Sequence, residues 1–175
     1  VFKTAGAIAE TGTSLDDVFK LASEVNNNIR TLGVALSPCI LPEAGKPTFE
    51  ISDDEIEIGM GIHGEPGIKR EKLRKADPLI DDLCKRILDD FKLNDKDQVC
   101  IMINSLGATP LEELYIISKR VHENFSKLKI EITKTYVGRY ATSMEMAGMS
   151  ITILKINDNL KKYLFAKSEC PFWNN

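Results

Sequence analysis

The sequence predicts an α/β protein of the α+β kind, in which a mixed sheet and helices packed mainly on one of its faces form a two-layer sandwich. Some segments repeat apolar residues at helical spacing, whereas others are continuously apolar or alternate. Segments of the two kinds are interleaved along the chain. Two neighbouring strands, predicted at 49–51 and 56–62, are joined by a connection too short for a parallel crossover, which favours a mixed sheet over a doubly wound parallel one.

Helices are predicted where an N-terminal signal precedes an apolar stripe. In the clearest case Asp77 provides a cap, Pro78 occupies the first helical position, and apolar residues repeat as far as Phe91. Thr109-Pro110-Leu111-Glu112 has the pattern of a capping box with proline at N1. The predicted helices cover 2–9, a stretch capped by Thr13 or Ser14, a stretch capped by Asp77, 110–128 and about 158–166.

Strands are predicted from apolar runs bounded by turn residues. Residues 98–104 form a continuous run that we expect to be covered on both faces of the sheet. The segment 38–47 contains three prolines and a glycine and is predicted to be a loop. The predicted strands are 31–37, 49–51, 56–62, 98–104, 129–137 and 150–156.

Composition limits the classes of function. With 175 residues, 43% hydrophobic and 28% charged, the chain is predicted to be one globular domain. No apolar run approaches the roughly 20 residues that span a bilayer, and no signal peptide is evident, so we expect no membrane partner. A net charge of −3 gives no reason to expect nucleic acid. Because the chain begins with Val-Phe-Lys rather than Met, we expect it to be a fragment of a longer protein.

The cysteines and the basic residues suggest structural roles. Four cysteines lie far apart without a C-x-x-C motif, which predicts free thiols in a reducing, cytoplasmic protein. Five lysines and arginines cluster within 69–75, immediately before several aspartates. We interpret this cluster as a solvated helix entrance, with a docking patch for an acidic partner as the alternative.

The segment 59–67, Gly-Met-Gly-Ile-His-Gly-Glu-Pro-Gly, carries the main functional signal. Its four glycines and one proline predict an exposed backbone that a ligand can approach closely. His63, one of only two histidines, lies at its centre. From the residues alone, a strand end followed by a tight turn, with His63 as an ordinary polar residue, remains an equal alternative.

The same segment contains a literal G-x-G-x-x-G at Gly59, Gly61 and Gly64. A dinucleotide site requires a helix that opens inside this motif, and Pro66 and Gly67 disfavour such a helix. The sequence therefore predicts no nucleotide-phosphate site here. His122 is interpreted as a surface residue of a helix, and no metal-binding constellation is expected.

Four blocks of the sequence resemble the second half of dihydroxyacetone kinase substrate-binding subunits of the bacterial, phosphotransferase-system-dependent type. The blocks occur in order, at compatible spacing, over essentially the whole chain, which makes the resemblance specific. They are 35–47 (with Ala-Leu-Ser-Pro-Cys, Leu-Pro and Ala-Gly-Lys-Pro), 59–67, 104–114 (Asn-Ser-Leu-Gly-Ala-Thr-Pro-Leu-Glu-Glu-Leu) and 142–150 (Thr-Ser-Met-Glu-Met-Ala-Gly-Met-Ser).

The resemblance implies a role for His63. In this family the histidine of the second block attacks the ketone of dihydroxyacetone and holds it as a hemiaminal, so His63 is the expected catalytic and substrate-binding residue. A neutral imidazole is a competent nucleophile. Glycerol has no carbonyl and would be excluded. Asn104, Thr109, Thr142 and Ser143 are weaker candidates, for which loop and helix-cap structure is the alternative.

The resemblance also implies partners. It implies a homodimer and a separate nucleotide-binding kinase subunit, which would carry ADP or ATP with Mg²⁺ and receive phosphate from phosphoenolpyruvate. The resemblance also implies that residues 1–175 are the C-terminal half of such a subunit and that its N-terminal domain is absent. This chain would itself bind no cofactor, and without the acid/base residues of that N-terminal domain it would have little kinase activity. A paralogue that binds dihydroxyacetone and acts as a transcriptional co-activator is the alternative function. A purely structural or dimerisation domain is a third.

Overall fold

The computed structural model describes residues 1–63, 65–171 and 173–174. Within these residues the chain forms five helices and eight strands. In order they are α1 (Phe2–Ala9), α2 (Leu15–Asn27), β1 (Ile29–Ala35), β2 (Glu55–Ile58), β3 (Lys69–Lys72), α3 (Ala76–Asp90), β4 (Gln98–Ser105), α4 (Leu111–Lys127), β5 (Glu131–Gly138), β6 (Gly148–Ile156), α5 (Asp158–Leu164), β7 (Glu169–Cys170) and β8 (Trp173–Asn174).

Strands β1 to β6 form one mixed sheet, in the order β3-β2-β1-β6-β4-β5. Strands β4 and β5 are parallel, and their crossover contains α4. The other neighbouring pairs in this sheet are antiparallel. The predicted α/β class with a mixed sheet is therefore confirmed.

The main core lies between one face of the sheet and helices α3 and α4. Alternate residues of β4 and β6, such as Ile101 and Ile151, point into it together with the fully buried Phe125 of α4. The intervening residues Cys100 and Leu154 face the opposite side, where they meet α1, α2 and α5 in a smaller cluster. The central strand β4 is thus covered on both faces, as its continuous apolar run predicts. This second helical layer covers one end of the opposite face.

The predicted pairing of 49–51 with 56–62 is wrong. Strand β2 ends at Ile58 and pairs with β1 and β3, whereas 49–51 is not a strand. The basic segment that we interpret as a helix entrance contains β3, which is an edge strand. Its basic residues form ion pairs with Glu71, Glu57 and Asp54, which makes this edge of the sheet charged. An edge strand needs no apolar period, and for this reason the sequence pattern did not reveal it.

Two predicted helix caps are also wrong. Helix α3 begins at Ala76 with Lys75 as the N-cap residue, so Asp77 lies in the first turn. Helix α4 begins after Pro110, and the Thr109 hydroxyl instead accepts a hydrogen bond from the Gly148 amide at 2.8 Å. Ser14, rather than Thr13, caps α2 by accepting from the Asp17 amide. Each cysteine is a free thiol, as predicted.

Candidate functional site

His63 lies on loop 59–68, which connects β2 to β3. At the base of the loop, the Ile68 amide donates to the Ile58 carbonyl and the Gly59 amide donates to the Gly33 carbonyl, both at 2.8 Å. Gly59 has a φ of +84°, which a side chain would strain, so glycine allows the chain to leave the sheet here. The loop therefore starts and ends on fixed positions of the sheet.

The ascending arm of the loop, residues 59–61, is anchored by Met60. This side chain is buried against Cys39, Leu106 and Met146 in a small apolar cluster. Beyond it the chain reverses direction, because the Gly61 amide donates to the Glu65 carbonyl. His63 is thereby placed at the exposed tip, with 80% of its side chain accessible.

Glu65 holds His63 from the side. Its Oε1 lies 3.2 Å from the ring Nδ1, and its Oε2 accepts from the His63 backbone amide at 3.1 Å. Hydrogen bonds from the backbone amide of Glu65 itself, then from the amide and ring of His63, lower the pKa of the Glu65 carboxyl. A carboxylate beside Nδ1 favours the tautomer with the proton on that nitrogen, which leaves the Nε2 lone pair available.

The descending arm of the loop, residues 65–68, contacts a buried carboxylate. Glu57, only 7% exposed, accepts from the Gly67 amide and from the Arg70 guanidinium, each at 2.8 Å. Burial alone would raise the pKa of Glu57, but the hydrogen bonds from Arg70 and Gly67 outweigh it and the pKa is lowered. The group is therefore ionised at neutral pH. The alternating pattern in 56–62 placed Glu57 on the polar side of a strand and gave no signal of these contacts.

An open cavity of about 480 Å³ lies beneath the loop. Its floor is the part of the sheet face that α1, α2 and α5 leave uncovered, where Thr31 and Thr152 bond to each other at 2.9 Å. Gly61 and Ile62 are among its lining residues, and His63, which is not, follows them directly along the loop. Among the described residues that line this cavity there is no carboxylate, histidine, lysine or arginine.

The weaker candidates have structural partners. Buried Asn104 donates to the Ala141 carbonyl and accepts from the Tyr140 and Ala141 amides, which holds the loop before β6. Ser143 lies 3.4 Å from the Cys39 sulfur, and Thr142 is exposed. Thr109 supports the start of β6 through the Gly148 amide. These contacts agree with a structural role in loops, although Thr109 does not cap helix α4.

His122 is separate from this site. It lies on α4 with its Nε2 2.8 Å from the Thr135 hydroxyl, which agrees with a surface helix residue. In the described ranges, no three His, Cys, Asp or Glu side chains are grouped closely enough to hold a metal ion. None of the helices in the described part of the chain combines the length and apolar character needed to cross a membrane.

Known proteins resemble the chain in sequence. Residues 1–172 match the Dak1 domain family. A Listeria innocua protein, "PTS-dependent dihydroxyacetone kinase 1, dihydroxyacetone-binding subunit DhaK", is 49% identical over 158 residues, which cover 90% of this chain and 48% of that protein. The chain thus spans about half the length of the bacterial relatives that it matches.

Solved structures resemble it as well. The "Dihydroxyacetone kinase operon co-activator Dha-DhaQ" superposes with a TM-score of 0.88 at 31% identity, over 94% of this chain and 51% of that one. The dihydroxyacetone kinase from C. freundii, in complex with AMP-PNP and Mg²⁺, superposes with a TM-score of 0.82 at 28% identity. That match covers 98% of this chain and 32% of the kinase chain.

Proposed function

The chain belongs to the Dak1 domain family, and we propose that it is the part of a dihydroxyacetone kinase subunit that captures dihydroxyacetone covalently on His63. The observation that carries this proposal is the arrangement of His63, an exposed imidazole with Glu65 at its Nδ1, on a fixed loop beside an open cavity. Relatives named as dihydroxyacetone-binding subunits support the choice of substrate.

The proposed step is an addition. The Nε2 lone pair of His63 forms a bond to the carbonyl carbon, and the carbonyl π electrons move to oxygen. That oxygen takes up a proton from water, and the Nδ1 proton leaves to water through the Glu65 carboxylate, 3.2 Å away. The product is a neutral hemiaminal. Because the addition expels no group from histidine or substrate, the same bond can break again and the capture is reversible.

Covalent capture also explains selectivity. A polyol of similar size, such as glycerol, can form the same hydrogen bonds but offers no electrophilic carbon. The cavity floor is uncharged, with hydroxyl and amide groups that suit a small hydroxyketone. Discrimination would therefore come from bond formation at Nε2 rather than from the shape of the cavity.

The nucleotide is proposed to lie on a separate kinase subunit. Residues 65–68 form a loop followed by strand β3, so no helix N-terminus follows Gly59 and Gly61 to bind a pyrophosphate. Gly64, the third glycine of that motif, lies outside the described residues. ADP or ATP with Mg²⁺ on the partner subunit, phosphoenolpyruvate as the source of phosphate, a cytoplasmic location and a homodimer complete the proposal.

A co-activator function is the second candidate. It is favoured by the TM-score of 0.88 to the co-activator structure, which exceeds the 0.82 to the C. freundii kinase. Both functions would use dihydroxyacetone bound at His63. They differ in whether the complete gene product, mixed with its nucleotide-binding partner, phosphorylates dihydroxyacetone or only binds it.

The test uses dihydroxyacetone labelled with ¹³C at the carbonyl carbon and the complete gene product. We expect the ketone resonance to be replaced by that of a tetrahedral carbon, and we expect His63→Ala to abolish this signal. His122→Ala is the matched control and should retain it, because His122 lies on α4 and is not among the described residues that line the cavity. Bound ligand that keeps its ketone resonance, or an adduct that survives in His63→Ala, would refute covalent capture.

A further inference from the structure

We propose that Glu57 is a positioning residue for His63, because its carboxylate fixes the descending arm of loop 59–68 and thereby sets where the imidazole stands. This inference rests on the proposed function of His63. Glu57 bonds to Gly67 and Arg70 and is not among the described residues that line the cavity, so its effect on the ring would be transmitted through the backbone of the loop.

The position of Glu57 in the sheet is unusual for a carboxylate. Its neighbours Ile56 and Ile58 are fully buried in the main core, so Glu57 points to the opposite face. There it is covered by the returning loop and by Arg70, its cross-strand partner in β3. A buried carboxylate costs several kcal/mol unless it is paired and hydrogen-bonded, and each oxygen of Glu57 has one such partner.

The two carboxylate oxygens of Glu57 bond to different parts of the protein. Oε2 pairs with Arg70 and joins β2 to β3, which is a purely structural contact. Oε1 accepts from the Gly67 amide, which belongs to the loop. A hydrogen bond from an amide to an ionised carboxylate is among the stronger contacts available to a loop backbone. A strand-to-strand ion pair would not require it.

The position of Gly67 leaves no room for a side chain beside this contact. A Cβ on Gly67 would lie 2.5 Å from the Ile58 carbonyl oxygen and 2.6 Å from Cγ of Glu57, so the backbone rests directly on the glutamate side chain. The neighbouring Ile68 amide bonds to the Ile58 carbonyl, and beyond Gly67 the arm continues to Glu65. Loss of the Glu57 contact would therefore release the residues that carry Glu65, and with them the group that orients His63.

The experiment compares Glu57→Gln with Glu55→Gln in the complete gene product. Both variants remove a carboxylate from the same face of β2, but Glu55 pairs with Lys72 and accepts a hydrogen bond from the Ser52 amide, and both partners lie outside loop 59–68. Affinity for ¹³C-dihydroxyacetone is measured from the tetrahedral-carbon signal, and unfolding by urea is measured in parallel. We expect Glu57→Gln to weaken capture about 10-fold, equivalent to about 1.4 kcal/mol, and Glu55→Gln to change it less than about 2-fold.

A ring readout separates positioning from general destabilisation. In Glu57→Gln, we expect the ¹⁵N resonances of the His63 ring to shift because the Glu65 contact loosens, whereas Glu55→Gln should leave them unchanged. If Glu57→Gln does not fold, Gly67→Ala provides a second variant: it keeps both charges of the Glu57–Arg70 pair, but its Cβ would clash with the Ile58 carbonyl and the Glu57 side chain and displace the loop, so it should weaken capture to a similar extent.

The outcomes distinguish this inference from the proposed function. Wild-type protein that forms no tetrahedral adduct would refute the function of His63 itself. A wild-type adduct that forms equally well in Glu57→Gln, with unchanged ring resonances, would refute only the positioning role. For Gly67→Ala, capture at the wild-type level in folded protein would do the same.

Discussion

The proposed capture of dihydroxyacetone by His63 depends on which of its two ring nitrogens carries the proton. Glu65 approaches Nδ1 at 3.2 Å and also binds the backbone amide of His63, so one carboxylate fixes both the ring and the turn beneath it. Gly61 lies against the same carboxylate. A Cβ there would be 2.0 Å from Oε2 of Glu65.

Gly61→Ala should therefore impair capture without changing a reacting group. The new methyl group would push the Glu65 side chain away from His63, and the ring would lose the partner that orients Nε2. We expect dihydroxyacetone affinity to fall about 3- to 10-fold, because the ring loses a charge-assisted hydrogen bond that lies at the surface, where water can partly replace it. The labelled-ketone titration measures it.

Gly6→Ala is the control for that substitution. Gly6 lies in α1, far from the loop in sequence, and a Cβ added there would meet nothing within 4 Å. Capture should be unchanged, and the helix should gain about 0.5–1 kcal/mol of stability because alanine replaces glycine in a helix interior. Equal affinities in Gly61→Ala and Gly6→Ala would mean that Glu65 does not orient the ring.

At the scale of elements, α3 and α4 are joined by polar contacts at the rim of the main core. Arg120 donates from Nε and a terminal nitrogen to the two oxygens of Asp81, at 2.8 and 2.6 Å, and Asn124 donates to the same carboxylate. The hydrogen bonds from Arg120 and then Asn124 lower the pKa of Asp81 to about 2. These two helices support β4 and β6, on which the cavity floor lies.

Asp81→Asn should destabilise the protein at neutral pH but not in strong acid. The pKa of Asp81 in the folded state, about 2, lies below the usual aspartate value of 3.8, so the contribution of Asp81 is fully present above about pH 4 and is lost as the pH falls towards 2. Because 42% of the side chain is exposed, we expect only about 1 kcal/mol at pH 7. Urea unfolding of both proteins at several pH values measures the difference.

Asp89→Asn provides the comparison, since the Lys85–Asp89 pair lies on the same helix but is well exposed on both sides. Its effect should be close to zero throughout. A difference between Asp81→Asn and wild type that stays constant from pH 7 to pH 2 would contradict the linkage to the Asp81 carboxyl.

On the scale of the whole molecule, the site is open. His63 is 80% exposed, and the described cavity lining offers no side chain that could take a proton from a substrate hydroxyl. Large apolar side chains on α1 and α2 are also exposed, with Phe2 at 94% and Leu15 at 81%. The relatives are about twice as long as this chain, and we propose that their additional residues complete the site.

The 175-residue chain alone should therefore show little kinase activity. Mixed with the nucleotide-binding partner and a phosphoryl donor, we expect it to turn over at least about 100-fold more slowly than the complete gene product, because a missing general base typically costs 10²- to 10⁴-fold. A coupled assay for dihydroxyacetone phosphate measures both. Equal rates would show that the chain contains the whole active site.

Local patterns predicted the elements that form the core. Strand β4 begins at Gln98 as predicted, because a continuous apolar run reports directly on burial at both faces of a sheet. The patterns failed at the edge of the sheet. Strand β3 is charged throughout, and its assignment depends on pairing with β2 rather than on its own residues.

By itself, the sequence determined that His63 lies in an exposed glycine-rich segment, since glycine and proline act on the backbone locally. Only the tertiary structure decided how that segment is held. Glu57 is buried because β3 and the loop fold back over it, and its partners Gly67 and Arg70 lie ten and thirteen residues away along the chain. Contacts of this kind depend on strand pairing, which no local pattern contains.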